Sequence, residues 1–329
     1  MRRLLFNAKT MKRIGNIYEQ IYTRENLELA DKRAREGKAD QYGVKVFDRN
    51  REANFVSLQK MLVDMTYSTS MYTTFMIYHP KEREIFRLPY FPDRILHHAV
   101  MNIIKKVFLS VFTADTYSCI VGRGIHAASY SLRDMLKNVS ATTHCLKVDI
   151  RKFYPSINHV TLKKLLRKKF KDFRLLWLLD GIIDSAPGLP IGNYLSQYFA
   201  NFYLAYFDHW VKEAMGVVNY IRYLDDMVFL SSSKSYLHKL LADIRKYLSE
   251  FLNLELKSNY QVFAVEDRGI DVVGYVHFHD VVFLRKDIKK NFARMLKYNR
   301  NDQSIASYMG WLNHCDGIHL QKKLLYETV

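Results

Sequence analysis

The sequence is poor in the residues that mark disulfide-rich, disordered or membrane-spanning chains. Its 329 residues include three cysteines, six prolines and thirteen glycines. Cys119, Cys145 and Cys315 are widely spaced and odd in number, which excludes a disulfide framework or a zinc motif and favours a reducing compartment. No apolar run reaches the length of a membrane span, and no secretory apolar segment follows the basic start. We therefore expect a globular, cytoplasmic protein with no membrane partner.

Acidic residues are scarce relative to basic ones. Fifty Lys and Arg face thirty-three Asp and Glu, which gives a formal net charge of +17. An excess of this size favours a polyanionic partner. Aromatic residues make up 14% of the chain, including 23 Tyr, and flat rings among basic side chains suit stacking on nucleobases. A soluble basic surface is the alternative, but nucleic acid is the leading candidate partner.

Two adjacent carboxylates, Asp225 and Asp226, lie between the apolar stretches Val217–Tyr223 and Met227–Leu230. This pattern predicts a hairpin of two short strands with both acids at its tip. Like charges held at one point repel each other unless a cation neutralises them, and Mg²⁺ prefers such oxygen ligands. Taken alone the motif is weak, because Asp is common in turns for conformational reasons.

A second acidic element strengthens the metal interpretation. Leu146–Ile150 is a β-type run with Asp149 near its end. Together with the Asp225-Asp226 hairpin it would form a two-metal centre for phosphoryl transfer, with the ions about 3.5–4 Å apart.

The predicted elements follow the order β-strand with acid, helix, turn, helix, β-hairpin with two acids, helix, strand. This is a βαββαβ-type arrangement, as in the palm domains of nucleotidyl-transferring enzymes. We predict an α+β polymerase right hand made of an N-terminal basic helical region (1–75), fingers (76–145), a palm with some inserted fingers helices (146–284) and a short helical thumb (285–329). Within it we expect a charged β-hairpin at Tyr78–Pro89 and β segments at Leu254–Ala264 and Asp271–His279.

From about Glu82 to Leu284 the chain resembles reverse transcriptases. The motifs that carry the resemblance occur in the family's order: Lys81-Glu82-Arg83-Glu84-Ile85, Pro92-Asp93-Arg94, Gly122-Arg123-Gly124, Asp149 with Phe153-Tyr154-Pro155-Ser156-Ile157, Gly192 with Ser196-Gln197, Tyr223-Leu224-Asp225-Asp226, and Val273-Gly274-Tyr275. The resemblance implies an RNA-directed DNA polymerase that uses two Mg²⁺ ions, dNTPs, an RNA template and a cDNA primer.

The resemblance also implies roles for individual residues. Asp149 and Asp225 would hold both ions with the backbone carbonyl of Ile150, and Asp226 would be a weaker ligand. Residues implied to bind the dNTP are Lys81, Arg83, Arg87, Tyr154, Ile191 and Gly192. Residues implied to contact template or primer are Arg123, Gln197, Tyr223, Gly274, Tyr275 and Lys257.

Some of these roles have simpler alternatives. Tyr154 would be the aromatic gate under the sugar, with Phe153 in the core, because alternation at a strand end sends neighbours to opposite faces. Lys257 is more simply a surface lysine, and Arg123 a turn residue. For the charged fingers hairpin, the alternative is a solvated surface.

Within the family, Leu189–Gln197 looks most like the diversity-generating retroelement branch, where an aliphatic residue precedes the Gly. Ile191 replaces a Gln of many reverse transcriptases, and an aliphatic side chain offers no hydrogen bond to check base pairing. The resemblance implies error-prone copying, concentrated at template adenines, by a bacterial or phage enzyme with a small basic accessory variability protein. The alternatives are an antiphage-defence, retron-like or group II intron-like reverse transcriptase, and a non-catalytic RNA-binding protein.

Overall fold

The structure, a computed structural model, describes residues 13–78 and 82–326. No helix within these residues is both long enough and apolar enough to cross a membrane. Several helices begin at a polar cap whose side chain accepts a hydrogen bond from the backbone N–H three residues later. These caps are Thr23, Asn158, Asp172 and Asn301.

Helices provide most of the regular structure. In chain order they are α1 (Arg24–Ala34), α2 (Tyr42–Arg49), α3 (Arg51–Val63), α4 (Ile95–Leu109), α5 (Ile125–Leu136), α6 (Phe153–Ser156), α7 (His159–Lys169), α8 (Phe173–Ile183), α9 (Tyr194–His209), α10 (Lys234–Leu252), α11 (Val265–Arg268), α12 (Lys286–Tyr298), α13 (Asp302–Leu312) and α14 (Ile318–Tyr326). The strands are β1 (Thr73–Ile77), β2 (Arg83–Arg87), β3 (His144–Asp149), β4 (Tyr220–Tyr223), β5 (Asp226–Ser231), β6 (Gln261–Ala264), β7 (Ile270–Val272), β8 (Tyr275–His277) and β9 (Val282–Leu284).

The chain divides into two compact units. The first comprises Met1–Thr113, Lys152–Trp210 and Leu248–Leu254. Its centre is α4, which packs against α1 and α9. Phe108 on α4 is completely buried, and its ring meets those of Phe170 and Phe202. The antiparallel β1–β2 hairpin also belongs to this unit.

The second unit comprises Ala114–Arg151, Val211–Tyr247 and Glu255–Val329. Its main sheet has the strand order β4-β5-β3-β6, and every neighbouring pair is antiparallel. Helix α5 packs on this sheet through a core that includes Leu132, Cys145 and Val228. A smaller sheet, β7-β8-β9, packs with the C-terminal helices around Tyr275 and Phe292. The predicted fingers, palm and thumb boundaries are a functional division that these units do not test.

Three local predictions need correction. The strands of the fingers hairpin are Thr73–Ile77 and Arg83–Arg87, so the hairpin begins before Tyr78. Only the end of Leu254–Ala264 is a strand, because a turn at 258–259 intervenes. The segment Asp271–His279 is a hairpin, since Val273 and Gly274 both adopt positive φ and reverse the chain.

Candidate metal and polymerase centre

Asp149 and Asp226 face each other across two strands of the main sheet. Asp149 is the last residue of β3, Asp226 is the first of β5, and the two are register partners. Directly opposed residues of an antiparallel pair project from the same face with close Cβ atoms. The sheet therefore places both carboxylates side by side, although 77 positions separate them in the chain.

The hairpin between β4 and β5 has a two-residue connection, Leu224-Asp225. Leu224 has a φ of 56°, a conformation that is strained for a branched side chain. Arg222 stabilises this turn, because its completely buried side chain donates a hydrogen bond to the Leu224 carbonyl over 3.0 Å. The strained turn is thus held by a specific buried hydrogen bond, and it carries Asp225 at the strand end.

Burial and mutual repulsion act against ionisation of these acids. Burial, followed by the negative charge of Asp149, raises the pKa of Asp225 to about 7. Burial also raises the pKa of Asp226, partly offset by the nearby charge of Lys147. Strongly perturbed carboxyl groups at one point of a fold are typical of functional sites.

Each of the opposed aspartates uses one oxygen for a lysine and leaves the other unbonded. Lys257 Nζ donates to Asp149 Oδ2, and Lys147 Nζ lies 3.5 Å from Asp226 Oδ2. Asp149 Oδ1 and Asp226 Oδ1 are buried and have no hydrogen-bond partner among the described residues. A buried, unsatisfied carboxylate oxygen is costly, and a cation would satisfy both at once.

Two backbone hydrogen bonds join the residues around Ile150 to the segment that carries Lys257. The N–H of Arg151 donates to Glu255 O, and the N–H of Lys257 donates to Asp149 O, each over 2.8 Å. Ile150 and Leu256 are therefore the non-hydrogen-bonded pair between these contacts. The Ile150 carbonyl takes part in neither of these two hydrogen bonds.

These donors fit Mg²⁺. Hard oxygen ligands from carboxylates and one carbonyl are what this ion prefers, and it completes its shell with water and substrate phosphates. Among the described residues no three His, Cys, Asp or Glu side chains form a ready-made cage for a metal.

In the first unit, a backbone hydrogen bond joins strand β2 to the predicted nucleotide-binding residues Ile191 and Gly192. The N–H of Phe86 on β2 donates to the Ile191 carbonyl over 2.8 Å. Gly192 follows with a φ of 121°, and a Cβ there would collide with the Phe86 carbonyl oxygen. The fingers hairpin and the Ile191-Gly192 segment thus form one assembly that only a glycine permits.

Comparison with known proteins agrees with this geometry. The model of the family "Reverse transcriptase (RNA-dependent DNA polymerase)" matches residues 79–277, more than half of the chain. This chain belongs to the reverse transcriptase family.

Several curated relatives of this chain are intron proteins. Nuclear intron maturase 4 of Arabidopsis thaliana is 27% identical over 179 residues, covering 50% of this chain and 22% of the relative. The group II intron-encoded protein LtrA of Lactococcus lactis subsp. cremoris is 26% identical over 137 residues, covering 38% and 22%. The chain thus spans about a fifth of the length of these relatives.

Solved structures resemble it in fold. Telomerase from Candida albicans, in complex with a fragment of telomeric RNA, aligns with a TM-score of 0.51 at 11% identity, covering 72% of this chain and 52% of that one. The Candida tropicalis enzyme, also with such a fragment, gives 0.50 at 12% identity, covering 74% and 52%. The predicted α+β fold of the polymerase right hand is confirmed.

The remaining residues that the resemblance implies to bind dNTP or template differ in their exposure. Lys81 lies outside the described residues. Arg83 and Arg87 are exposed on β2, and Gln197 is exposed on α9. Arg123 is half-buried in a tight turn, where its N–H donates to Ile120 O over 2.9 Å.

Tyr154 lies in a helical turn, which corrects the expected strand end. Lys152 has a φ of 45°, which ends the extended backbone, and α6 follows. Phe153 is buried and Tyr154 half-buried, so the two rings do have different surroundings. Gly188 packs directly on this turn, since a Cβ there would lie 2.5 Å from the Tyr154 carbonyl oxygen.

Gly274 and Tyr275, predicted to contact template or primer, lie in a different setting from the one expected. Tyr275 is completely buried, and its hydroxyl bonds to His126 Nδ1 over 3.0 Å and to the Trp311 carbonyl over 3.1 Å. Its side chain is therefore a packing element and not a direct primer contact. A Cβ at Gly274 would collide with the ring of Trp311, and the Gly274 carbonyl accepts a hydrogen bond from the Arg285 N–H over 3.0 Å. Tyr223, by contrast, is half-buried next to the metal centre.

Three residues of the centre were not identified correctly from sequence. Lys257 is bonded to Asp149 and is no simple surface lysine. Lys147 and Arg222 were missed, although each is a charged residue inside an otherwise apolar strand. That break in the pattern was the available signal.

Proposed function

We propose that this chain is an RNA-directed DNA polymerase whose catalytic carboxylates are Asp149, Asp225 and Asp226. The observation that carries the proposal is the register pair Asp149–Asp226, with a buried, unbonded oxygen on each acid. Asp226 accordingly ranks as a full candidate ligand. Family membership supports the reaction class, and because the chain spans a minor part of its curated relatives, the activity remains a proposal.

The chain's residues would position reactants more than react themselves. The three aspartates and the Ile150 carbonyl would hold magnesium, which would supply charge neutralisation and Lewis-acid chemistry at the primer 3′-hydroxyl. Lys257 and Lys147 each fix the rotation of one carboxylate by holding one of its oxygens. Tyr154 would exclude a ribose 2′-hydroxyl by shape, and Arg83 and Arg87 would bind the triphosphate.

A primer-extension assay tests this reaction. The parent, Asp149→Asn, Asp226→Asn and the exposed control Asp280→Asn are compared on an RNA template with dNTPs and Mg²⁺. We expect loss of at least about a thousand-fold in the first two variants, because ionised ligands are replaced in a charge-neutralising site. The control should match the parent. Equal extension by all four proteins would contradict the assignment.

For the biological role we propose a diversity-generating retroelement, which copies a template-repeat RNA with errors at adenine and works with a small basic accessory protein. Ile191 and the Ser196-Gln197 element support this branch. Replacing Ile191 by Gln should lower misincorporation at template adenines, measured by sequencing the cDNA. An unchanged error spectrum would refute the role of Ile191.

A group II intron-like reverse transcriptase is the second candidate, because curated relatives of this chain include intron maturases. The two roles differ in their genomic surroundings. A template repeat and a matching variable repeat beside the gene are expected only for the retroelement, whereas an intron RNA around the gene would favour the second candidate.

A further inference from the structure

Lys147 is a charged residue within the apolar strand β3, and its side chain lies between two different environments. Cys145, Lys147 and Asp149 project from one face of β3, since alternate residues of a strand share a face. Cys145 is completely buried in a core that also contains Ile270 and Val272 of β7. Asp149 belongs to the candidate metal centre at the end of the strand. Lys147 therefore lies between that core and the centre, and its side chain is only 22% exposed.

The ammonium group of Lys147 is shared by two acceptors. Its Nζ lies 3.5 Å from Asp226 Oδ2 and donates a hydrogen bond to the Asp271 carbonyl. An ammonium group has three protons to donate, so it can serve both oxygens at once. Asp226 begins β5 of the main sheet, and Asp271 is the middle residue of β7 in the smaller sheet. One side chain thus connects the candidate metal centre to the smaller sheet.

The connection continues from Asp271 to the start of α12. The Asp271 carboxylate is paired with Arg285, with 2.5 Å between Oδ1 and the guanidinium. The Arg285 N–H donates to the Gly274 carbonyl over 3.0 Å, which joins the turn between β7 and β8 to the residue that precedes α12. A cation at a helix N-terminus is unfavourable, so the Asp271 carboxylate also stabilises Arg285 in this position.

The charges along this series of contacts act on Asp226. Burial raises the pKa of Asp226, and the positive charges of Lys147 and Arg285 act in the opposite direction. Arg285 is therefore close enough to influence the carboxylate, although it belongs to the segment that leads into α12. Because Lys147 holds one oxygen of Asp226 and also the backbone of β7, the orientation of this carboxylate is tied to the position of β7.

We propose that Lys147 is a positioning residue that couples the Asp226 carboxylate to the segment from β7 to the start of α12. A change at Asp226 then alters the stability of β7, and a loosened β7 alters the orientation of Asp226. A lysine that only neutralised Asp226 would not produce this coupling. The inference rests on the proposed function for its consequence in catalysis, whereas the coupling itself is a property of the folded chain.

A double-mutant cycle of melting temperatures at pH 8 without Mg²⁺ measures the link to Asp226. We expect Lys147→Met to lower the melting temperature of the parent by about 2–4 °C more than that of Asp226→Asn, because only the parent retains a carboxylate that loses its partner. Lys137 and Asp134 at the end of α5 form the control pair, 2.8 Å apart with side chains 74% and 75% exposed. Their cycle, with Lys137→Met and Asp134→Asn, should give less than about 1 °C. A coupling at Lys147 no larger than that of the control pair would overturn the proposal.

Hydrogen exchange of the backbone amides in β7 and β8 measures the link to the smaller sheet. Lys147→Met should speed exchange of the amides in 270–277 about ten-fold, because the Asp271 carbonyl loses its donor. Asp226→Asn should speed the same amides at least about three-fold in the parent and have no effect in the Lys147→Met background, since the coupling depends on the ammonium group. Lys137→Met should match the parent. Parent-like exchange in Asp226→Asn would overturn the proposal and leave Lys147 as a neutralising charge.

A second variant and an activity assay complete the test. Lys147→Gln keeps a hydrogen-bond donor without the charge and should lose the coupling to Asp226 in the same cycle, so the inference stays testable if the methionine variant does not fold. Primer extension by the parent separates this inference from the proposed reaction. Coupling in a protein that extends no primer would support the link while refuting the polymerase, and an active parent without coupling would refute the link alone.

Discussion

Replacing Asp225 by Asn should stabilise the protein while removing its activity. The folded protein holds the Asp225 carboxyl half-buried beside Asp149, and desolvation followed by the charge of Asp149 raises its pKa from 3.8 to about 7. At neutral pH and above, folding must therefore keep an ionised carboxylate where its neutral form is preferred. Asn carries no charge and removes that cost, a trade of stability for function that is common in active sites.

The size of the effect follows from the pKa difference. At a pH where the carboxyl is ionised in both the folded and the unfolded protein, this pKa shift lowers the free energy of unfolding by about 4 kcal/mol. We therefore expect Asp225→Asn to raise the free energy of unfolding by about 2–4 kcal/mol. For 329 residues the entropy of unfolding is about 0.7 kcal/mol/K, so the melting temperature should rise by about 3–6 °C at pH 8.

The dependence on pH has a definite sign. Between about pH 4 and pH 7 the folded parent binds more protons at Asp225 than the unfolded chain does, so the parent loses stability as the pH rises through this window. The advantage of the variant is therefore complete above pH 7 and shrinks toward pH 4.

Thermal unfolding at pH 8 and pH 5, with and without Mg²⁺, measures these effects. Mg²⁺ should raise the melting temperature of the parent and have much less effect on Asp225→Asn, because the ion binds the ionised acid. The exposed control Asp280→Asn should shift by no more than about 1 °C at either pH. An Asp225→Asn protein that melts below the parent at pH 8 would refute the reasoning, since it would show that Asp225 contributes more by its contacts than its charge costs.

Two further substitutions test the supports of the site. Arg222→Met removes the hydrogen-bond donor to the Leu224 carbonyl. We expect it to lower the free energy of unfolding by about 1–3 kcal/mol and the rate of primer extension at least about ten-fold. A parent-like extension rate would show that the turn keeps its conformation without this hydrogen bond. Gly192→Ala should lower the melting temperature more than Gly216→Ala does. Both glycines have positive φ, but only at Gly192 would a Cβ collide with backbone, at Phe86. Equal decreases in melting temperature would show that the structure relaxes this clash.

The sequence allowed the centre to be predicted because its signals are local. The Asp225-Asp226 turn lies between two apolar stretches and Asp149 ends a third, so the apolar runs predict three acids at strand ends or in the turn between strands. The boundaries of short strands were less predictable. Their conformation depends on turns such as Val273-Gly274, where both residues have positive φ and a Cβ at Gly274 would collide with Trp311.

Residues that act through distant contacts were the hardest to predict. Lys257 resembles any exposed lysine in the sequence, yet the bridge between Ile150 and Leu256 brings it to Asp149. Arg222 has no local reason to be buried, and only the surrounding sheet shows that it supports the strained turn.

The sequence by itself determined the family, the basic character and the three carboxylates proposed to be catalytic, since order along the chain and local periodicity carry that information. Only the tertiary structure decided that Asp226 pairs with Asp149, that lysines hold one oxygen of each acid, and that Tyr275 is a core residue. The physical reason is that register and burial depend on residues far apart in the chain, whose proximity no local pattern records.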